Sequence, residues 1–312
     1  MIDRRRYRGR FAPSPTGPLH FGSLVTAAAS YADARSRGGE WLVRMEDLDP
    51  PREVPGAADD ILRTLEGFGF EWDGEVAYQS RRADAYRAAL EQLVSDGLAY
   101  RCACTRREVA EAAMAGPQGP VYPGTCRARP PAAHRRHAYR LAADGPRIEF
   151  LDRLQGPRGQ SLPDEVGDFV VRRSDGLYAY QLAVVVDDAW QGITDVVRGA
   201  DLLASTPRQI HIQRLAGLQT PRYAHVPLVL GADGKKLSKQ ARSLPVDPSR
   251  PLEALLAALR FLGQEEPPHP PSGTRELWSH VFAAWDRSRV PRIQQGPLPG
   301  AGERPGSVMG EG

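Results

Sequence analysis

The chain has 312 residues, of which 25% are charged and 41% are hydrophobic, and its formal net charge at pH 7 is +3. This composition is typical of a globular protein, and the small net charge excludes a polycation, so nucleic acid would have to bind to a local basic surface. The sequence contains no run of 18 apolar residues, and no apolar segment follows the basic N-terminus, so we expect neither a membrane span nor a signal peptide but a cytoplasmic protein.

Residues 10–23, RFAPSPTGPLHFGS, predict a short strand, a proline-rich turn and the start of a helix over residues 24–37. His20 and Gly22 lie where that helix begins. Backbone N–H groups and the positive end of the helix dipole favour an anion at such a place. We interpret this segment as half of an ATP site.

A buried strand is predicted over residues 41–45, and three carboxylates follow it directly: Glu46, Asp47 and Asp49. Ligands of open α/β sheets bind just outside the carboxyl ends of the strands. We expect Glu46, the first residue past the strand, to be functional. For Asp47 and Asp49 a role as a helix or turn cap is as good an interpretation.

Helices are predicted over residues 57–67 and 82–96, and three cysteines follow at Cys102, Cys104 and Cys126. Three thiolates can share one Zn²⁺, which needs a fourth ligand. The nearest candidates are Tyr122, His134 and His137, of which histidine is the commoner zinc ligand in general. The alternative interpretation is three small buried thiols.

The most basic window is residues 127–140, with five arginines, two histidines and no acid. It predicts either contact with an RNA backbone or a solvated loop. Beyond it, strands are predicted over residues 169–173 and 178–186, joined by a hairpin turn at residues 174–176. Asp187 and Asp188 close the second strand.

A short strand over residues 193–197 is followed by Arg198, which is well placed to bind a substrate carboxylate, although a surface ion pair is an alternative. A helix over residues 206–215 and a strand over residues 223–230 come next. The following GADGKKLSKQ resembles a P-loop only superficially. Its lysines could neutralise pyrophosphate, or it could be a solvated hairpin tip. Helices are expected over residues 252–262 and 275–285, and disorder over residues 293–312.

Two sequence motifs resemble the signatures of class I aminoacyl-tRNA synthetases: PSPTGPLHFGS resembles the HIGH signature, and KLSKQ resembles the KMSKS signature. The form RFAPSPTG followed by WLVRMEDLDPPR resembles the glutamyl branch of that family. Only about 70 residues follow KLSKQ, too few for the usual anticodon-binding domain, and this resembles the glutamyl-Q tRNA(Asp) synthetases. Ser23 replaces the last histidine of the HIGH signature.

The resemblance implies an α/β fold: a Rossmann-type class I catalytic domain with an inserted zinc-bearing, acceptor-binding subdomain. The implied boundaries are residues 1–101 and 191–264 for the two catalytic halves, 102–190 for the insert, and 265–312 for a Pro/Gly-rich tail. The implied reaction is ATP-dependent, tRNA-independent activation of L-glutamate, followed by its transfer to queuosine in tRNA(Asp). Mg²⁺ is expected with ATP, and no membrane or obligate protein partner is implied.

The resemblance also assigns residues to roles. The implied ligands of one structural Zn²⁺ are Cys102, Cys104, Tyr122 and Cys126, which replaces the generic preference for histidine. The implied glutamate contacts are Arg10, Ala12, Ser14, Glu46, Tyr180 and Arg198. The implied ATP contacts are Pro18, His20, Gly22, Ser23, Lys236, Leu237, Ser238 and Lys239, with His20, Lys236 and Lys239 acting in catalysis.

Three other functions stay open at this point, one of which is a nucleotidyltransferase like those of class I that acts on another acid. A truncated glutamyl-tRNA synthetase would charge the 3′ end of a tRNA instead of queuosine. A synthetase paralogue without activity would bind RNA only.

Overall fold

A computed structural model of the chain describes residues 6–132, 134–231 and 245–297. Its strands are β1 Arg8–Phe11, β2 Glu40–Met45, β3 Ala77–Tyr78, β4 Ala99–Cys102, β5 Met114–Gly116, β6 Gly119–Val121, β7 Ala138–Leu141, β8 Ile148–Asp152, β9 Gly156–Gln160, β10 Phe169–Arg172, β11 Asp195–Gly199, β12 Arg222–Val226, β13 Leu228–Leu230 and β14 Gln295–Pro297. Its helices are α1 Phe21–Arg35, α2 Ala57–Gly67, α3 Ala83–Ser95, α4 Arg106–Ala112, α5 Thr125–Ala128, α6 Leu162–Glu165, α7 Tyr180–Trp190, α8 Thr206–Leu215, α9 Pro251–Phe261 and α10 Thr274–Ala284.

Parallel strands with helical connections form the part of the fold that carries the N-terminal motif. β1 pairs with β2 and β2 with β3, while β11 pairs with β12, and all these pairs are parallel. The backbone of Arg8 bonds that of Thr194, which places β1 beside β11. The carboxyl ends of β1, β2 and β11 therefore lie at one edge, where α/β proteins bind ligands.

Antiparallel strands form the segment between those parallel strands. β4, β7 and β10 make one sheet, and β5–β6 and β8–β9 are two hairpins. A hydrophobic core packs Leu90, Leu141 and Phe169 of this region against Leu182 of α7 and Ile210 of α8. A separate core lies around α1, β1 and β2.

The strand predicted over residues 178–186 is wrong, because these residues belong largely to α7. Apolar residues and the two carboxylates are buried around most of this helix, so the sequence shows no contrast between a buried and an exposed face. A short apolar run of this kind does not distinguish strand from buried helix. The turn at residues 174–176 is present, but only a bridge between Arg172 and Tyr178 continues the predicted hairpin.

The C-terminal tail is more ordered than the sequence predicts. The expected disorder over residues 293–312 is wrong for its first residues, because β14 pairs in parallel with β13, whereas residues 298–312 lie outside the described part. α10 confirms the short helix predicted near residue 280. Trp278 Nε1 donates to the Phe68 carbonyl at 3.0 Å, and Trp285 Nε1 donates to Asp33 Oδ1 at 3.0 Å. Large aromatic side chains thus fix a Pro/Gly-rich tail.

The other predicted elements are close to those observed. The helices predicted over residues 57–67 and 206–215 are confirmed to the residue as α2 and α8. The strand predicted over residues 223–230 is interrupted at Pro227, which has no N–H to donate, and forms β12 and β13. No helix in the described residues has the length and apolarity that crossing a membrane requires.

Candidate active site

The N-terminus of α1 faces a cavity of about 300 Å³. His20 is the N-cap residue, and its Nδ1 accepts a hydrogen bond from the Ser23 amide at 3.2 Å. Its Nε2 lies 3.1 Å from Ser23 Oγ, so the serine that departs from the HIGH signature contacts the histidine. The cavity can therefore hold an anion at the positive end of a 15-residue helix.

Residues from the β1–α1 region and from the region of β11 and β13 line this cavity. The turn after β1 contributes Ala12 and Ser14, and Gly22 comes from α1. Gly199 follows Arg198, and Val229 comes from β13. Pro18 is exposed in the turn and does not line the cavity. The structure thus brings together most of the described residues that the sequence assigns to ATP.

Beside the cavity lies a buried group of opposite charges. Arg10 Nε and a terminal nitrogen bind the two carboxylate oxygens of Asp188 at 3.1 and 3.3 Å. Arg44 donates to Asp188 Oδ1 at 2.8 Å and to Gln191 Oε1 at 2.5 Å. Asp187, the preceding carboxylate, accepts from Gln79 and Tyr86 among others. Buried charges are tolerated when they are paired in this way.

Glu46 is at the edge of this charged group and is less well paired. Its backbone amide donates to the Pro13 carbonyl at 2.9 Å, which fixes the residue against the proline turn. Its Oε1 is 3.6 Å from an Arg44 nitrogen and has no hydrogen-bond partner in the described structure. Burial raises the pKa of Glu46, against the opposing effect of Arg44 and Arg10. A cationic ligand would compensate this carboxylate.

Arg198 is buried, and neutral groups surround it. Its Nε donates to His225 Nε2 at 3.0 Å, and its terminal nitrogens donate to Tyr180 Oη at 3.2 Å and Thr206 Oγ1 at 3.0 Å. Within the described residues no carboxylate lies within 4.0 Å of its guanidinium, unlike that of Arg10. The charge of Arg198 is therefore available to a ligand that carries a carboxylate.

The orientation of Arg198 depends on a histidine and an aspartate that the sequence analysis missed. His225 Nδ1 lies 2.5 Å from Asp152 Oδ2, and both side chains are fully buried. Burial lowers the pKa of His225 to about 4, which outweighs the effect of Asp152. The imidazole is neutral, with Nδ1 donating to Asp152 and Nε2 accepting from Arg198. A histidine inside an apolar strand, YAHVPL, was the one available signal.

The remaining carboxylates after β2 have structural partners. Asp47 accepts hydrogen bonds from the Ser80 amide at 2.9 Å and from its hydroxyl at 2.6 Å. Asp49 binds Arg52 Nε at 2.5 Å and lies 3.5 Å from Arg173. Asp47 thus binds the backbone of a turn, as the capping interpretation expects, whereas Asp49 pairs with arginines and makes no capping hydrogen bond.

The three cysteines come together as the sequence predicts. The sulfur atoms of Cys102, Cys104 and Cys126 lie within 4.8 Å of one another, and Cys104 Sγ is 3.4 Å from Cys126 Sγ. Tyr122 Oη lies 3.4 Å from the sulfur atoms of both Cys102 and Cys104. We call these four side chains the cysteine cluster. Three sulfur donors and one oxygen fit a tetrahedral Zn²⁺ with no open position.

Three arginines of the basic window, Arg127, Arg136 and Arg140, bind other parts of the protein. Arg127 pairs with the exposed Asp144, and Arg136 Nε donates to the Ser174 carbonyl at 3.0 Å. Arg140 contacts the cysteine cluster. His137 Nδ1 lies 2.7 Å from the Arg135 carbonyl, and neither His137 nor His134 belongs to the group of potential metal ligands.

Lys236, Leu237, Ser238 and Lys239 lie outside the described residues. The described chain on each side of them borders the cavity. Val229 lines it, and the Val246 amide donates to the Leu19 carbonyl at 3.0 Å, one residue before His20. Pro245 forms a bridge with His20. The described residues on both sides of the KLSK sequence therefore lie near the N-terminus of α1.

Residues 6–266 match the family model described as tRNA synthetases class I (E and Q), catalytic domain. A glutamyl-Q tRNA(Asp) synthetase from Dechloromonas aromatica is 58% identical over 289 residues, which are 92% of this chain and 96% of that protein. One from Chromobacterium violaceum is 58% identical over 292 residues, or 94% and 97% of the two chains.

Solved structures agree with the sequence comparisons. A glutamate tRNA ligase from Elizabethkingia meningosepticum, in complex with its amino acid, superposes with a TM-score of 0.77 at 25% identity. The match covers 94% of this chain and 67% of that one. The family expected from the paired HIGH-like and KLSK sequences is thereby confirmed. This chain belongs to the class I tRNA synthetases of the glutamate and glutamine type, and within them to the glutamyl-Q tRNA(Asp) synthetases.

Proposed function

We propose that this chain activates L-glutamate with ATP, without requiring tRNA, and transfers the glutamyl group to queuosine in the anticodon of tRNA(Asp). The observation that carries the proposal is the placement of Glu46 and Arg198 beside the anion-binding cavity at α1. Glu46 is a carboxylate with one buried oxygen that has no hydrogen-bond partner, and Arg198 is a buried cation without a carboxylate partner in the described structure. An amino acid with an ammonium group and a second carboxylate complements both.

The described contacts suggest how glutamate would be held. The ammonium group would bind Glu46. Burial disfavours the ionised form of this side chain, and a bound cation would offset that effect. Arg198 would bind one substrate carboxylate, because Arg10 is already neutralised by Asp188 through two of its nitrogens. The third nitrogen of Arg10 would be left for a polar contact, and the Tyr180 hydroxyl, which accepts from Arg198, would border the substrate. Ala12 and Ser14 would form the side of the glutamate site that faces ATP.

Activation of glutamate requires that the two substrates be positioned and that developing charge be stabilised. It requires no protein nucleophile. The α-carboxylate of glutamate would attack the α-phosphorus of ATP in line, the bond to the bridging oxygen would break, and pyrophosphate would leave with the electron pair. His20, Gly22 and Ser23 at the start of α1 would hold the phosphates. We assign charge neutralisation on pyrophosphate to Lys239, helped by Lys236, on the evidence of the KLSK sequence. Mg²⁺ bound to the phosphates would offset part of their charge.

The cysteine cluster would hold one structural Zn²⁺. The four donors are present and within bonding reach of a common centre, which supports a closed structural site. We also propose that residues 102–190 act as the insert that meets RNA, between catalytic halves at residues 1–101 and 191–264, with residues 265–312 as the tail. Because the proposed acceptor is a tRNA, we also propose a cytoplasmic location.

Two assays test the proposal. The first measures glutamate-dependent exchange between ATP and pyrophosphate without tRNA. The second measures transfer of labelled glutamate to an anticodon stem–loop that carries queuosine, with the guanosine stem–loop as its matched control. We expect exchange without RNA, and transfer only to the queuosine stem–loop.

Other results would favour the alternatives. Transfer to the 3′ end of a full-length tRNA, with no reaction of the stem–loop, would identify a truncated glutamyl-tRNA synthetase. Absence of exchange with any amino acid, together with RNA binding, would identify a paralogue that binds RNA without catalysis.

A further inference from the structure

Arg140, on strand β7, lies against the cysteine cluster. Its Nε donates to Cys102 Sγ at 3.3 Å, and its guanidinium carbon lies 3.9 Å from the ring centroid of Tyr122. A terminal nitrogen donates to the Asp168 carbonyl at 2.7 Å, which anchors the guanidinium. One side chain therefore contacts two of the four potential metal ligands.

The strand register produces this contact. In the antiparallel pair of β4 and β7, Arg140 is opposite Tyr100, and Cys102 is opposite Ala138. Residues two positions apart point to the same face of a strand, so Arg140 and Cys102 are diagonal neighbours on one face. The long arginine side chain spans the remaining distance. Arg101 is on the opposite face of β4 and serves below as a control.

The negative charge of the metal-loaded cysteine cluster would attract the positive charge of Arg140. Three thiolates around a divalent cation carry a net charge of −1, even before a phenolate is added. Cys102, Cys126 and Tyr122 are each less than 10% exposed, so water offsets little of that charge. In the described structure no carboxylate lies within ion-pair distance of Arg140, whereas Arg127, at the other end of the basic window, is paired with Asp144. The positive charge of Arg140 is therefore available to the cluster.

We infer that Arg140 is a positioning residue of the metal site: it offsets the charge of the thiolates and orients Cys102 and Tyr122 towards the metal. The inference rests on the proposed zinc site and goes beyond it, because Arg140 is not itself a ligand. Groups that hydrogen-bond to metal ligands from outside typically change metal affinity by roughly 10–100-fold when they are removed. The planar guanidinium is suited to the task, since it can donate to sulfur at its edge while its face stacks on the phenol.

The test compares zinc affinity in the full chain and in three variants, by competition with a chromophoric chelator. We expect Arg140→Ala to lower zinc affinity roughly 10–100-fold. Arg140→Lys should recover part of the loss, because it restores the charge but not the combined hydrogen bond and stacking. Arg101→Ala, an arginine lost from the opposite face of the same sheet, should bind zinc as the wild type does.

A spectroscopic readout separates positioning from general destabilisation. In the protein loaded with Co²⁺, the sulfur-to-metal charge-transfer band should shift in Arg140→Ala and Arg140→Lys but not in Arg101→Ala. Wild-type affinity together with an unchanged band in Arg140→Ala would overturn the inference. If that variant does not fold, an unchanged affinity and band in Arg140→Lys would overturn it. A wild-type chain that binds no zinc would overturn the metal site and this inference together, whereas glutamate exchange would remain a separate result.

Discussion

Asp188 binds Arg10 through both carboxylate oxygens, at 3.1 and 3.3 Å, and both side chains are almost fully buried. The same carboxylate binds Arg44, so one aspartate on α7 fixes arginines on β1 and on β2. Arg10, one of the two arginines that the family resemblance assigns to glutamate, is thus held mainly by the protein. Both carboxylates of α7, Asp187 and Asp188, are buried in the fold.

We expect Asp188→Ala to destabilise the protein by about 3–5 kcal/mol, because it leaves two buried arginines without their partner. Glutamate affinity should fall as well, since Arg10 loses its orientation. Urea unfolding and the KM for glutamate in exchange measure the two effects. Asp144→Ala is the control, because it removes an exposed ion pair with Arg127 and should change stability by no more than about 1 kcal/mol. Similar losses in both variants would contradict this prediction.

Glu46→Gln should abolish glutamate-dependent exchange without destabilising the fold. Burial raises the pKa of Glu46, so the folded state binds a proton more tightly than the unfolded state, and the ionised side chain costs stability at neutral pH. Glutamine removes that cost. The variant should be as stable as the wild type or more stable at pH 7, and the difference should shrink as the pH falls through the raised pKa towards the ordinary value of 4.5. Thermal unfolding of a variant that melts well below the wild type at pH 7 would refute this account.

The buried His225 should make stability depend on pH below neutrality. Its pKa is lowered from the usual 6.5 to about 4, so between these values the unfolded state binds more protons than the folded state. Stability is therefore complete above pH 6.5 and declines as the pH falls towards 4, by up to about 3 kcal/mol. His225→Gln should flatten this dependence, whereas the exposed His134→Gln should not. Equal slopes in the wild type and in His225→Gln would argue against a neutral buried imidazole.

Lys239→Ala should lower exchange by roughly 10²–10³-fold, the usual effect of removing one donor that stabilises developing charge. The fold should be unaffected, which circular dichroism and the melting temperature would verify. Lys235→Ala, in the same segment, is the matched control and should retain most of the activity. Near-wild-type exchange in Lys239→Ala would remove the role assigned to that lysine.

Protein that is freshly purified without any chelator should contain one zinc ion per chain. Metal analysis by mass spectrometry gives the stoichiometry, and Cys126→Ser should lower it. Removing the metal should destabilise the region around α5, because a structural zinc site contributes directly to folding. Protein with no zinc and an unchanged melting temperature after chelation would eliminate the metal site.

The sequence predicted best where the chemistry is local. The strand, turn and helix around His20 follow from residue order alone, because the prolines, the glycines and the cap act within a few positions of one another. The cysteine positions likewise limited the metal ligands to a few residues. One failed prediction concerns a largely buried helix, and the other concerns the Pro/Gly-rich tail. Residues 178–186 are apolar except for Gln181, so their periodicity could not separate strand from helix.

Residue order by itself determined the family, the halves of the nucleotide site and the identity of Glu46 and Arg198 as candidates. Only the tertiary structure decided how these charges are balanced. It showed that Asp188, distant in sequence, neutralises Arg10, while His225 and Tyr180 leave the charge of Arg198 without a carboxylate partner in the described residues. The physical reason is that the free energy of a buried charge depends on every group within a few ångströms of it. Those groups come from strands and helices that are far apart in the chain.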